Sequence, residues 1–169
     1  TLRPEDYARQ NGGVIFANPN APTGLALPLS GVEEILATNP ESVVIVDEAY
    51  VDFGAETALP LLKKYENLVV VRTMSKSRAL AGMRIGYAFA SKRLIRALED
   101  VKASINSYTM TTLSLAAGKA AIEDEAYFQE TLGKIIKTRE ETKASLQKLG
   151  FSVTESKTNF LFARNPDIP

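Results

Sequence analysis

Residues 68–90 read LVVVRTMSKSRALAGMRIGYAFA, and the fold can be read outward from them. The uncharged run Leu68-Val69-Val70-Val71 predicts a buried strand, and Ile85-Gly86-Tyr87-Ala88-Phe89 predicts another. Between them lies a loop of small and hydroxyl residues, Thr73, Ser75, Ser77, Ala79, Ala81 and Gly82, surrounding Lys76. The lysine is therefore expected at the end of a buried strand rather than on a solvated face.

An isolated Ser-Lys-Ser tripeptide reads most simply as a solvated turn. Here the hydroxyls of Ser75 and Thr73 stand one and three positions before Lys76, and Arg84 stands eight after it. The amine could condense with an aldehyde as a Schiff base. The hydroxyls and the guanidinium could receive a phosphate.

Composition narrows the chemistry. The 169 residues suffice for one sizeable domain and a small part of another. Twenty basic and twenty acidic residues cancel, so nothing calls for nucleic acid or an anionic membrane. The sequence has no cysteine and no histidine. Thiolate nucleophiles, disulfides, the usual zinc sites and histidine acid-base catalysis are excluded within it, and no metal site is expected. Proton transfer would fall to lysine, tyrosine or carboxylates. No apolar run approaches a membrane span and TLRPEDYARQ has no signal-peptide pattern, so a cytoplasmic location is the default expectation. A start at Thr1 and an end at NPDIP just after an apolar run suggest a piece of a longer chain.

Two further apolar runs precede the lysine loop. Val14-Ile15-Phe16-Ala17 predicts a strand ending in NPNAPTG, residues 18–24, whose prolines and glycine force an irregular loop. Ser42-Val43-Val44-Ile45-Val46 predicts a strand with no wet face, delivering Asp47-Glu48-Ala49-Tyr50 at its carboxyl end. Ser30 and Glu33 have the spacing of a capping box for a helix over 31–38, and a short helix is expected around 58–65. Ser91 should cap a helix over about 92–103. Residues 110–122 form a small-residue-rich helix read as plain core, and 125–149 a long helix ended by Gly150. Residues 151–153 and 159–163 read as strands after a domain change.

Short apolar strands alternating with helices predict an α/β fold with a mainly parallel sheet covered on both faces. Ligands in such sheets gather beyond the strand carboxyl ends. NPNAPTG, DEAY and TMSKS all fall there. Asp47, after an apolar strand, needs a cationic partner such as a pyridinium nitrogen. Tyr50 could place its hydroxyl on a phenolic oxygen of the same ring while Lys76 takes the aldehyde. These are the needs of pyridoxal 5'-phosphate.

NPNAPTG, VIVDEAY and RTMSKSRALAGMRIGY, in this order and spacing, resemble the fold-type I pyridoxal-phosphate-dependent aminotransferases, and most closely the histidinol-phosphate aminotransferase group. The resemblance implies that residues 1–125 are the second half of the large cofactor domain, 126–149 a long connecting helix, and 150–169 the start of a small α+β domain. It implies Lys76 as the catalytic lysine and proton shuttle, Asp47 at the pyridine nitrogen, Tyr50 at the ring oxygen, and Thr73, Ser75 and Arg84 on the phosphate. It further implies a small-molecule amino donor and a 2-oxo acid as reactants, histidine biosynthesis as setting and a homodimer formed by the parent chain. The piece alone is expected to be inactive and, with an unpaired sheet edge and an exposed apolar face, to self-associate. The chain departs from the family pattern at Ala21, where asparagine is usual before Pro-Thr-Gly, and at Arg78, where an aromatic residue is common. Two alternatives share the fold: a decarboxylase of a phosphorylated amino acid, and a non-catalytic ligand-sensing module of a transcription regulator.

Overall fold

The computed structural model describes residues 2–168. Three strands, β1 (Val14–Ala17), β2 (Val44–Asp47) and β3 (Leu68–Thr73), lie parallel, and β4 (Gly86–Ala90) returns antiparallel beside β3, giving the order β1-β2-β3-β4. A parallel return would need a crossover of a dozen or more residues, usually helical. The lysine loop contains only a 3-10 turn, Ala81–Met83, so β4 runs back along β3.

Register decides what each face carries. Val14, Val44 and Leu68 are aligned, as are Phe16, Val46 and Val70. These six are buried beneath α1 (Leu29–Thr38), whose Val32, Ile35 and Leu36 complete the core together with Ala58 and Leu61 from the segment before β3. On the opposite face Ile15, Ile45 and Val69 are aligned. Ile15 is 70% exposed whereas Val69 is 4% exposed, so this face is covered only toward β4. The expectation of a sheet covered on both faces is corrected: strand composition reports what a strand can bury, and the cover for β1 is not supplied by residues 2–168.

After β4 come α2 (Lys92–Ile105), α3 (Thr112–Glu123) and α4 (Glu125–Lys148), then a two-stranded ribbon of β5 (Ser152–Val153) and β6 (Ala163–Arg164). Ser91 caps α2 by accepting the Leu94 amide hydrogen, as expected. The capping box at Ser30 does not form. Pro28 occupies the cap position, Leu29 opens the helix, and Glu33 turns instead to Lys64 and Tyr65. The element before β3 is a 3-10 helix, Leu59–Lys63, shorter than the expected helix. The reading of α3 as plain core is also overturned: Leu113, Leu115 and Ile122 are exposed. Its small residues serve one close approach, where Gly118 lets the helix sit on Ile85 and Met74; an added Cβ would lie 2.8 Å from Ile85 Cδ1.

A second core, Phe53, Phe128 and Leu132 with Tyr50 at its margin, joins α4 to the turn after β2. Arg139 of α4 reinforces it, donating from Nη1 to the carbonyls of Phe53 and Thr158, both at 2.8 Å. Among the described residues no helix is long and apolar enough to cross a membrane.

Candidate functional site

Because β1, β2 and β3 are parallel with Ala17, Asp47 and Val71 in register, the loops after them leave one edge of the sheet together. This brings NPNAPTG, DEAY and the lysine loop to one rim. Alternation then sorts their side chains. Asp47 shares a face with Val71 and, two residues on, Thr73. Glu48 and Arg72 fall on the other face, over the core.

Asp47 is half-buried. One carboxylate oxygen accepts the Ala49 amide hydrogen at 2.9 Å. The other makes no hydrogen bond among the described residues and remains available to a donor. Tyr50 stands in the turn beyond, its ring edge-on to Phe160 with centroids 5.2 Å apart. The Lys76 amine lies 5.3 Å from the centroid of the Tyr50 ring. Lys76 itself is exposed, which corrects the expectation of an unsolvated lysine. The strand behind it is buried, but the loop carries the side chain out past the sheet edge.

Thr73 and Ser75 are brought together: their hydroxyls are 2.9 Å apart, and the Thr73 hydroxyl also reaches the Ser75 amide at 3.1 Å and the Ile85 carbonyl at 3.2 Å. The contact to Ile85 folds the end of the loop back toward its start. Arg84, the residue before, is exposed and in the left-handed region (φ 54°), with Nη1 donating to the Ala81 carbonyl at 3.1 Å. Its other guanidinium donors face no partner among the described residues. The structure therefore joins Lys76 to Tyr50 and Thr73 to Ser75, and leaves Arg84 at the loop mouth without contact to either pair.

The two asparagines near Ala21 make bonds within their own loop. Asn18 is committed at both ends to Leu27, with bonds of 3.1 and 2.7 Å, and Asn20 accepts from the Thr23 hydroxyl at 2.7 Å. The loop is instead tied to the segment between β5 and β6. Lys157 N–H donates to the Gly24 carbonyl at 2.7 Å, and the Thr154 hydroxyl donates to the Thr23 carbonyl at 2.7 Å.

Sequence reading missed two groups that build the rim. Glu48, with no side-chain exposure, accepts from Arg72 Nε and Nη2 at 3.0 and 2.8 Å, from the Thr57 hydroxyl at 2.8 Å and from the Ala58 amide at 2.5 Å. Strand alternation carried one residue past β2 would have found the pair, since it places Glu48 and Arg72 side by side on the core face. Arg78 was singled out without a role. It lies 3.5 Å above the Phe128 ring and donates to the Ala121 carbonyl and to Glu125. No local signal marks those partners, which are more than 40 positions away.

Comparison with known proteins gives the family and the fold. Residues 2–167 match the family described as aminotransferase class I and II. Histidinol-phosphate aminotransferase of Lactococcus lactis subsp. cremoris (strain SK11) is 55% identical over 168 residues, covering 99% of this chain and 47% of its own length. Histidinol-phosphate aminotransferase 1 of Pseudomonas aeruginosa is 55% identical over 165 residues, with 98% and 47% covered. The chain thus spans about half the length of the curated relatives it matches. Among solved structures, the histidinol-phosphate aminotransferase of Clostridium acetobutylicum superposes with a TM-score of 0.84 at 29% identity, over 93% of this chain and 48% of its own. That of Sinorhizobium meliloti, in complex with pyridoxal-5'-phosphate, gives 0.77 at 28% identity, over 90% and 42%. With one family matched from Leu2 to Asp167 and the same fold found in its solved relatives, the chain belongs to the class I and II aminotransferases.

Proposed function

We propose that the complete polypeptide carrying these residues is a pyridoxal-phosphate-dependent aminotransferase that catalyses reversible transamination between histidinol phosphate and 2-oxoglutarate, in histidine biosynthesis. The observation that carries the reading is the sheet-edge cluster: an Asp47 carboxylate oxygen with no partner among the described residues, the Lys76 amine 5.3 Å from the Tyr50 ring centroid, and the paired hydroxyls of Thr73 and Ser75, within a sequence 55% identical to a protein of that name.

The residues suit the cofactor by their chemistry. Asp47 offers an anion where a pyridinium nitrogen needs one. Thr73 and Ser75 offer hydroxyl donors, and Arg84 offers uncommitted guanidinium donors, to a phosphate. Bound pyridoxal phosphate would supply an electron sink for charge developing at a substrate's α-carbon. Lys76 would hold it covalently, then, once displaced by the amino donor, move a proton from that carbon. Asp47 would keep the ring nitrogen protonated, and the Tyr50 hydroxyl would donate to the ring oxygen, since Ala21 has no side-chain donor and Asn18 is bonded at both ends within its own loop. Residues 1–125 belong in this reading to the large domain, 126–149 to the connecting helix and 150–169 to the small domain, with the whole protein a homodimer and the present stretch inactive by itself.

The test is absorbance after adding pyridoxal phosphate and dialysing, on the complete polypeptide and its Lys76→Ala variant, followed by product analysis with histidinol phosphate. A band near the visible edge that Lys76→Ala lacks, with amino transfer dependent on added 2-oxoglutarate, is expected. A band that persists in Lys76→Ala refutes the assignment of the lysine. Product formed without consumption of an oxo acid, as a decarboxylase would give, refutes the reaction.

A further inference from the structure

The Lys76 amine makes no hydrogen bond or ion pair among the described residues, yet the two residues after it are firmly held. Ser77 is 5% exposed and donates to Asp52 Oδ2 at 2.5 Å, in the turn that follows Tyr50. Arg78 reaches the other way. Its guanidinium lies over Phe128 at 3.5 Å, while Nη1 donates to the Ala121 carbonyl at 2.6 Å and Nη2 to Glu125 Oε2 at 3.2 Å. These partners sit at the junction of α3 and α4.

The loop needs such anchors. Ala79 adopts the left-handed region (φ 54°) without being glycine, a conformation that costs an L-residue energy. Its amide donates to the Lys76 carbonyl at 3.2 Å and the Leu80 amide to the Met74 carbonyl at 2.9 Å, closing a tight ring around the lysine. A ring with a strained residue relaxes unless its neighbours are fixed. The side chains at 77 and 78 are fixed from opposite sides, and 76 lies next to them.

We propose that Arg78 is a positioning residue for Lys76: by stacking on Phe128 and binding the α3–α4 junction it holds the lysine loop in its strained shape, with the Ser77–Asp52 bond as the opposing anchor. A phenylalanine at 78 could stack on Phe128 but could neither donate to the Ala121 carbonyl nor pair with Glu125. The proposal rests on the reading of Lys76 as the reactive amine.

The experiment compares the complete polypeptide with Arg78→Ala, Arg78→Lys and Ser77→Ala. Amide hydrogen exchange is followed first without cofactor. In Arg78→Ala the Ala79 and Leu80 amides should exchange about tenfold faster, through loss of a partly buried cation–π contact and its hydrogen bonds, while Val70 in the core is unchanged. Arg78→Lys, keeping charge but not the plane, should fall between, and Ser77→Ala should accelerate the same amides. The second reading is the rate at which the Lys76-dependent absorbance develops on adding pyridoxal phosphate, which should fall with loop order while its final amplitude is kept. Wild-type exchange at Ala79 and Leu80 in Arg78→Ala overturns the proposal, as does acceleration spread equally over Val70. A faster loop with an unchanged rate of absorbance development also overturns it, because the anchor would then not act on the lysine. A band that survives Lys76→Ala is a separate failure, that of the cofactor reading, and the exchange data on the apoprotein distinguish the two.

Discussion

Replacing Arg72 by methionine should be the most destabilising single change at the sheet edge. Glu48 has no exposed side-chain surface, and Arg72 only 18%. Arg72→Met removes two charge-assisted bonds, at 2.8 and 3.0 Å, and leaves the carboxylate enclosed with the Thr57 hydroxyl and the Ala58 amide as its donors. Breaking a buried pair from one side costs about 3–5 kcal/mol, and two surviving neutral donors put the expected loss near the lower end, about 3 kcal/mol. Against a total stability on the order of 5–15 kcal/mol that is a large fraction. Glu48→Gln should cost less. It keeps an acceptor for the Ala58 amide, and the guanidinium left behind has solvent access and Asp52 at 4.0 Å. Urea unfolding of the complete apoprotein, extrapolated linearly to water, measures both. A loss below about 1 kcal/mol for Arg72→Met, or a larger loss for Glu48→Gln than for Arg72→Met, would refute the reasoning that an enclosed carboxylate is the costly half of the pair.

Two further outcomes follow from other contacts. Gly24 has φ 74°, and a Cβ there would fall 2.6 Å from Ser156 Oγ and 2.9 Å from Ser156 Cβ, so Gly24→Ala should lower stability by about 1–3 kcal/mol through strain and overlap; an unchanged melting temperature would show that the proline-rich loop does not dock on residues 154–157. At the surface, hydrogen bonds from Lys64 and Tyr65 hold the Glu33 carboxyl below its ordinary range, while the bond to Glu33 raises Lys64. The Glu33 contribution is therefore present above the ordinary carboxylate pKa and lost as pH falls through the depressed value; the Lys64 contribution is present below the ordinary lysine pKa and lost as pH rises through the raised one. Carbon-detected NMR titration should find Glu33 returning toward the ordinary range in Lys64→Met, and an identical titration curve in both proteins would remove the pair from the account.

What could be read in the sequence follows the range of the interaction behind it. The strands β1, β2 and β3 open on apolar runs, and the cap of α2 is a serine ahead of a helical pattern, so both are local and both were legible. The capping box at Ser30 was equally local in form, but Pro28 takes the cap position, and Glu33 finds partners 31 and 32 positions away. In α3 the small residues announce a close approach without saying where: Gly118 meets Ile85, while Leu113 and Leu115 point outward. The rim of the site was legible because three motifs at strand ends become neighbours as soon as the strands are parallel. The role of Arg78 was not, since Phe128, Ala121 and Glu125 are brought to it only by the packing of α3 and α4 against the loop.

The two adjacent carboxylates at the end of β2 show how one strand divides chemistry from support. Alternation sends Asp47 to the face where Ile15 is left open and Glu48 to the face packed beneath α1. Among the described residues Asp47 keeps a carboxylate oxygen without a partner, whereas both carboxylate oxygens of Glu48 are bonded. The same division recurs on β3, where Arg72 closes the core side and Thr73, one residue later, turns its hydroxyl toward Ser75. Asp47 and Thr73 therefore each stand next in sequence to a residue that is fully engaged, and Lys76, followed by Ser77 and Arg78, continues the pattern into the loop. A side chain with open hydrogen-bonding capacity can hold its position only if the backbone carrying it is fixed by something else, and at Asp47 and Lys76 the engaged side chains of Glu48 and Ser77 stand one residue away.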